Sequence, residues 1–374
     1  MKLSVLIAGG GTGGHVYPGV AVARELVARV PDGHVVFVGT ASGIESRVIP
    51  REGFALDTIR SAGLKGKSLA ALARGIALLP VSALDAWQVI SRRSPSIVIG
   101  VGGYSSGPVV LLAALRGIPT LLMEQNAMPG ITNRLLARVV SAAAVTYGES
   151  APFFAGRAFV AGNPVRPEFF GGEHDEYGVP PAAARVLVFG GSQGAHAINM
   201  AMVEAAPRLA AATLPVAITH QTGERDLEMV RDGYRRAGLE ARVEPFLYAM
   251  DREMKAADLV VCRAGATTLA ELTAAGRPSI LVPLPTATDD HQRKNAETLV
   301  TYGAARMIDQ RALTGDVLAA HIVALAANDA ERMSMSAAAR RMARPDAAKV
   351  IVDRVLELAG LDGPPYSDAR GGRL

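Results

Sequence analysis

Two glycine-rich segments have residue types and spacing suited to binding an oxygen-rich ligand. Leu6-Ile-Ala-Gly-Gly-Gly-Thr-Gly-Gly-His15 aligns without a gap on Leu187-Val-Phe-Gly-Gly-Ser-Gln-Gly-Ala-His196, half a chain later. Each reads as a buried strand, a glycine turn and a helix. Glycines let the backbone approach a ligand closely, and a helix N-terminus offers N–H groups and a partial positive charge. Both turns are therefore expected to face diphosphates, the alternative being tight turns that merely close a βα unit. Gly9, Gly11 and Gly14 satisfy the dinucleotide pattern GxGxxG. A nicotinamide site also wants an acidic residue about 20 positions on to hold the ribose. The second strand ends Phe37-Val-Gly-Thr40 without one, which disfavours a dehydrogenase.

A third constellation, Cys262-Arg-Ala-Gly-Ala-Thr-Thr-Leu-Ala-Glu271, again joins a strand to a helix. Thr267 and Thr268 are suited to capping it. Glu271 should lie on the first helical turn or just beyond, where a carboxylate suits vicinal ribose hydroxyls; its competing role is a capping-box acid. Thr288-Asp-Asp-His-Gln-Arg-Lys-Asn295 gathers polar groups after the next strand, at the end where such sheets bind ligands. Asp289 and Asp290 are adjacent, and one loop face rarely presents both to a metal, so none is expected. His15 titrates in the range a general base needs, with an ordinary pKa near ~6.5. Its competing role is packing at a helix start.

These segments need a scaffold of strands and helices. Apolar runs at Ser4–Ala8, Val35–Val38, Ile97–Gly100, Thr120–Met123, Arg185–Phe189, Val216–Thr219, Leu259–Cys262 and Ser279–Val282 alternate with helical stretches such as Val20–Val30. Continuous Val/Ile/Leu strands between helices imply parallel sheets covered on both faces. With 374 residues, the duplicated turn implies two Rossmann-like domains, meeting near Gly162-Asn-Pro-Val-Arg-Pro167 where prolines interrupt regular structure. We expect domains at 1–165 and 166–345, then a helix in 346–374 returning to the first domain and a frayed tail from Gly363. Apolar residues are 49% and charged residues 20%, so disorder is excluded. A single cysteine, Cys262, excludes a disulfide framework and suggests an intracellular protein. The net charge of +4 comes from scattered bases and acids, which argues against nucleic acid. Leu3–Ala8 runs into glycines too early for a signal peptide. Ser94–Leu115 has no charge, but Gly102-Gly-Tyr-Ser-Ser-Gly-Pro108 breaks it, so strand, loop and helix is expected there rather than a membrane span.

Taken together, Gly10-Gly-Thr-Gly-Gly-His15, Gly102-Gly-Tyr-Ser-Ser-Gly107, Glu124-Gln-Asn126, Gly162-Asn-Pro-Val-Arg166, Gly190-Gly-Ser-Gln-Gly194, Cys262-Arg-Ala-Gly265 and His291-Gln292 resemble the MurG glycosyltransferases. These motifs run in the family's order over almost the whole chain. The resemblance implies an α/β chain of GT-B architecture, with two doubly wound, Rossmann-like parallel-sheet domains facing a cleft. It implies an inverting transfer of N-acetylglucosamine from UDP-N-acetylglucosamine to the C4 hydroxyl of the muramyl sugar of lipid I. The product is β-1,4-linked lipid II for peptidoglycan. Carried over by position, the donor-binding residues are Thr12, Gly13, Gly14, Asn126, Arg166, Ser192, Leu247, Ala266, Thr267, Thr268, Leu269, Ala270, Glu271 and Gln292. Leu247 would offer mainly its backbone to the uracil. No cofactor or metal is implied. Met123 stands where the family usually has His, and the Thr288 loop is longer than in some members, which leaves the partner of Gln292 open.

The transfer needs somewhere for the acceptor proton: His15 is the first candidate and Glu124 the reserve. The implied location is peripheral, on the cytoplasmic face of the plasma membrane, against anionic lipid and near other cell-wall synthesis proteins. Leu64–Leu79 mixes Lys65 and Lys67 with Leu69, Leu72, Ile76 and Leu79 at helical spacing, which fits a core-facing helix or a membrane-surface one equally. Competing functions are a UDP-N-acetylglucosamine 2-epimerase, a diacylglycerol glycosyltransferase and a non-catalytic nucleotide-sugar-binding scaffold.

Overall fold

The computed structural model describes residues 3–61, 78–171, 183–191, 194–287 and 290–361. The chain forms two compact units, Met1–Val165 with Arg344–Leu374, and Arg166–Ala343.

The first unit holds strands β1 (Ser4–Gly9), β2 (His34–Gly39), β3 (Ala55–Thr58), β4 (Ile97–Gly102), β5 (Thr120–Glu124), β6 (Ala142–Val145) and β7 (Ala158–Val160). They form one parallel sheet in the order β3-β2-β1-β4-β5-β6-β7. Helices α1 (Gly13–Arg29), α2 (Glu45–Arg51), α3 (Leu79–Arg93), α4 (Ser106–Leu115) and α5 (Ile131–Leu136) connect them. Alternate residues of β1 feed opposite faces: Val5 and Ile7 join one core, Leu6 and Ala8 the other. That two-sided burial explains the unbroken apolar sequence.

The second unit repeats the plan. Its strands β8 (Ala184–Phe189), β9 (Val216–Gln221), β10 (Ala241–Glu244), β11 (Leu259–Cys262), β12 (Ser279–Leu281) and β13 (Ala305–Met307) run β10-β9-β8-β11-β12-β13, again all parallel. Its helices are α6 (His196–Ala210), α7 (Leu227–Ala237), α8 (Met250–Ala256), α9 (Ala266–Ala275), α10 (His291–Thr301), α11 (Gly315–Ala326) and α12 (Asp329–Met342). In both sheets the strand order reverses beside the first strand, at β1/β4 and at β8/β11. Such a reversal opens a crevice at the carboxyl ends of the strands.

A final helix, α13 (Ala347–Leu358), packs on α1 in the first unit. Ile351, Val352 and Val355 are fully buried there, each contributing about 1.5–3 kcal/mol. Arg29 of α1 pairs with Asp353 across this contact. The segment 94–115 is strand, loop and helix, and no described helix is long and apolar enough to cross a membrane.

Two expectations need correction. The first helix begins at Gly13, not Val20, despite two glycines and Pro18 in its opening turns, because Val16, Pro18 and Val20 are buried there. Strands β3, β6, β7, β10 and β13 were not expected. The Leu69–Ile76 face, the segment 172–182, Ser192, Asp289 and the tail from Gly363 lie outside the described residues.

Candidate functional site

The first turn leaves β1 at Gly9 and enters α1 at Gly13, with Thr12 as N-cap and His15 in the opening turn. Thr12 is exposed, and Gly13, Gly14 and His15 are half-buried. The Nδ1 of His15 lies 3.2 Å from the Thr12 hydroxyl. The imidazole packs on Gly102, at the end of β4, where a Cβ would come within 2.8 Å of the ring. Next to it, Gly103 at φ +84° packs against the backbone of Gly10. The Gly102-Gly103 motif thus seats the first turn and its histidine.

Two N–H groups of this turn, ahead of the helix N-terminus, are bound within the protein. Gly11 N–H donates to Glu45 Oε2 at 2.8 Å, and Gly10 N–H to the Gly102 carbonyl at 3.3 Å. The Glu45 side chain also accepts from the N–H and hydroxyl of Thr40, at 2.9 and 2.8 Å. Burial pushes this carboxyl up, but the donors from Gly11 and Thr40 outweigh it and hold its pKa below the ordinary range. A Cβ on Gly10, Gly39 or Gly43 would collide with the Glu45 side chain. Glu45 thus braces the first turn from beneath. Sequence reasoning missed it, although the glycines on either side in Gly39-Thr-Ala-Ser-Gly43 were a signal of close packing.

Glu124 ends β5 and is buried. Its carboxylate accepts from Asn126 N–H at 3.0 Å, Asn126 Nδ2 at 3.2 Å, Gly130 N–H at 3.0 Å and Asn133 Nδ2 at 2.9 Å. Burial raises its pKa, with those donors opposing. A carboxyl enclosed by four donors has no lone pair facing a substrate, so the reserve role as base is corrected: Glu124 sets the backbone and amide of Asn126. Met123 is buried in the core, so this position carries no polar function here.

In the second unit the turn after β8 runs into α6, whose first residue is His196. Gly194, at φ +74°, packs so closely that a Cβ would lie 1.7 Å from the Thr222 carbonyl oxygen. The turn borders a cavity of about 620 Å³ whose wall includes Gly190, Gly191, His196, Arg263, Thr268 and Gln292. Leu284 N–H donates to Gln292 Oε1 at 3.0 Å, which leaves the amide NH₂ as the group Gln292 can offer a ligand. Arg263 anchors on the carbonyls of Val282 and Pro283 at 3.1 and 3.3 Å, and desolvation lowers its pKa. It was absent from the expected donor set, although it sits inside the Cys262–Gly265 motif.

Gly265 is the N-cap of α9, so Thr267 and Thr268 fall inside the first turn and do not cap it. Glu271 lies in the second turn, beyond the position a capping box requires, and is half-buried. Burial pushes its carboxyl up to about 7, with Arg166 opposing and Asp251 reinforcing the shift. Arg166 itself stacks 5.0 Å over the Phe169 ring. Leu269 is fully buried, so its side chain reaches no ligand, and Ala266 is nearly so. Ala270 is half-buried. Leu247 N–H donates to Gln221 Oε1 at 2.7 Å, which narrows what its backbone can offer to the carbonyl. Among the described residues, no group of three or more His, Cys, Asp or Glu is placed to hold a metal ion.

Comparison with known proteins agrees with this two-part plan. Residues 5–145 match the glycosyltransferase family 28 N-terminal domain, and residues 185–351 match its C-terminal domain. A UDP-N-acetylglucosamine–N-acetylmuramyl-(pentapeptide) pyrophosphoryl-undecaprenol N-acetylglucosamine transferase of Anaeromyxobacter sp. (strain K) is 50% identical, over 98% of this chain and 96% of its own. The enzyme of that name from Myxococcus xanthus is 46% identical over 95% of this chain and 93% of its own. The crystal structure of Acinetobacter baumannii MurG superposes with a TM-score of 0.78 at 31% identity, covering 95% of this chain and 100% of that one. The chain belongs to glycosyltransferase family 28 and is a hexosyltransferase of GT-B architecture.

Proposed function

We propose that this enzyme transfers N-acetylglucosamine from UDP-N-acetylglucosamine to the C4 hydroxyl of the muramyl sugar of lipid I, giving lipid II with inversion at the anomeric carbon. The observation that carries the reading is the paired glycine turn: one unit offers a histidine for proton transfer, the other a cavity edged by glycine backbone, Arg263 and Gln292 that suits a nucleotide diphosphate.

In this reading, residues 1–165 take the acceptor and residues 166–345 the donor. The cavity wall and the N-terminus of α6 stabilise the departing diphosphate as its charge develops, without a metal. The Gln292 amide donates to the sugar, Glu271 and the Thr267–Thr268 turn hold the ribose end, and Arg166 adds positive charge. Thr12, Gly13, Gly14 and Asn126 shape the N-terminal side. His15 removes the acceptor proton; the Thr12 hydroxyl on Nδ1 orients the ring for Nε2 to act.

Docking to the cytoplasmic face of the membrane is the companion proposal. Helices α3, α4 and α5 expose Leu84, Trp87, Leu111, Leu115, Ile131 and Leu135, and α4 packs on both neighbours. Arg116 lies 4.6 Å over the Trp87 ring. Apolar residues edged by cations suit an anionic lipid surface that also carries the acceptor.

The test is turnover of lipid I with UDP-N-acetylglucosamine by wild type and His15→Ala. Wild type should release UDP only when lipid I is present. His15→Ala should lower kcat by ~100-fold while the donor KM stays nearly constant. UDP release independent of acceptor refutes the transferase reading; a change confined to donor KM refutes the base.

A further inference from the structure

In the second sheet β9 lies between β8, which feeds the glycine turn, and β10, which leads to Leu247. One buried side chain at the end of β9 reaches both neighbours. Gln221 is the last residue of β9 and is 2% exposed. Its Nε2 donates to the Gly191 carbonyl at 2.8 Å, and its Oε1 accepts from Leu247 N–H at 2.7 Å. A carbonyl can only accept and a backbone N–H can only donate, so these partners fix which way the amide points.

The backbone that follows is tied to the same two neighbours. Thr222 N–H donates to the Glu244 carbonyl at 3.0 Å, and Gly223 N–H to the Pro245 carbonyl at 3.1 Å. On the opposite side, Gly194 packs on Thr222. The glycine turn and the segment before Leu247 are therefore both built against residues 221–223.

Where the Gly191 carbonyl points matters to an anion. Gly191 lies in the cavity wall at φ +94°, a left-handed conformation. Each residue of a turn that offers an N–H also carries a carbonyl, and an oxygen facing a diphosphate repels it. Here that oxygen accepts twice within the protein, from Gln221 Nε2 and from Gly194 N–H at 3.0 Å.

We infer that Gln221 is a positioning residue of the donor site: it holds the Gly191 carbonyl off the diphosphate and, through its other end, fixes the Leu247 backbone at the base. One side chain thereby sets the spacing between the two ends of the nucleotide from behind the backbone. The inference rests on the UDP-sugar reading of the cavity, with Leu247 facing the uracil.

Calorimetric titrations of UDP and of uridine into two variants separate positioning from packing. At pH 8, Gln221→Glu keeps an acceptor for Leu247 N–H but has no donor for Gly191. It should weaken UDP binding by about tenfold or more and leave uridine binding within about twofold. Gln221→Met has a similar volume and loses both hydrogen bonds, so UDP and uridine binding should both fall. In turnover, the donor KM of Gln221→Glu should rise in step with its UDP loss, while the lipid I KM stays constant. A side chain that only fills the core would lower Tm and leave both affinities of the folded protein unchanged; that result overturns the inference. Equal losses for UDP and uridine in Gln221→Glu overturn it as well, while the donor reading stands. Failure of the wild type to bind UDP overturns both.

Discussion

The two glycine turns share a sequence pattern and differ in what lies behind the backbone. Behind the first is a carboxylate, Glu45, which takes the Gly11 N–H, while the His15 ring lies beside the Thr12 hydroxyl and on Gly102. Behind the second, Gly194 presses on the Thr222 carbonyl, and the carboxylate, Asp226, is given to the histidine instead. The same sequence pattern thus spends its carboxylate on the backbone in one turn and on the histidine in the other.

The sharpest way to break this comparison is to place a Cβ in each turn. Gly194→Ala would drive a methyl into the Thr222 carbonyl, so UDP affinity should fall by ~100-fold or more with a lowered Tm. Gly11→Ala adopts a left-handed φ of +86° with open space around it, and should cost only about 1–2 kcal/mol of strain. Equal effects in paired melts and UDP titrations would mean that the turns are not packed differently.

Glu45→Gln gives the next largest effect. Replacing one carboxylate oxygen by NH₂ leaves a part-buried N–H, of Gly11 or Thr40, without its acceptor, at about 1 kcal/mol. Turnover should fall by ~10-fold, because the brace holds the turn that carries Thr12, Gly13, Gly14 and His15. The folded-state pKa is lowered, so the stability contributed by ionised Glu45 is present above the ordinary carboxylate range. It is lost as the pH falls through the lowered value. The Tm gap between wild type and variant should therefore narrow on acidification; a constant gap from pH 3 to pH 7 would remove the charge from this account.

The smallest effect concerns Glu271. Its carboxyl titrates at about 7 in the free protein, and ribose hydroxyls would favour the ionised form, so UDP binding should release a proton. The part of UDP affinity due to Glu271 should rise severalfold from pH 6 to pH 8, and the difference from Glu271→Gln should grow over that range. A pH-independent difference would leave Glu271 without a ribose partner.

The central strands and both turns were legible in the sequence because burial on two faces and close backbone approach leave marks in residue type. The edge strands β3, β7 and β10 were not, since Ala55-Leu-Asp-Thr58 and Ala241-Arg-Val-Glu244 are only partly buried and show little apolar pattern. Ala142-Ala-Ala-Val145 favours helix by propensity and becomes strand β6 only through its neighbours. Glu45 and Asp226 escaped for another reason. Each meets the glycine turn or its histidine only after about 30 residues of intervening chain, and the one local sign was the pair Gly39 and Gly43 beside Glu45.

The helix α13 sets the order in which this protein can be finished. A chain emerging from the ribosome usually completes its domains in sequence order. Here the first sheet appears first, yet Ile351, Val352, Val355 and Leu356, which complete the core beneath α1, are translated only after all of Arg166–Ala343. The second unit is therefore complete while the first still lacks its last helix. During synthesis the half bearing His15 is the late one, with part of its apolar core open to solvent and to chaperones until the final helix arrives.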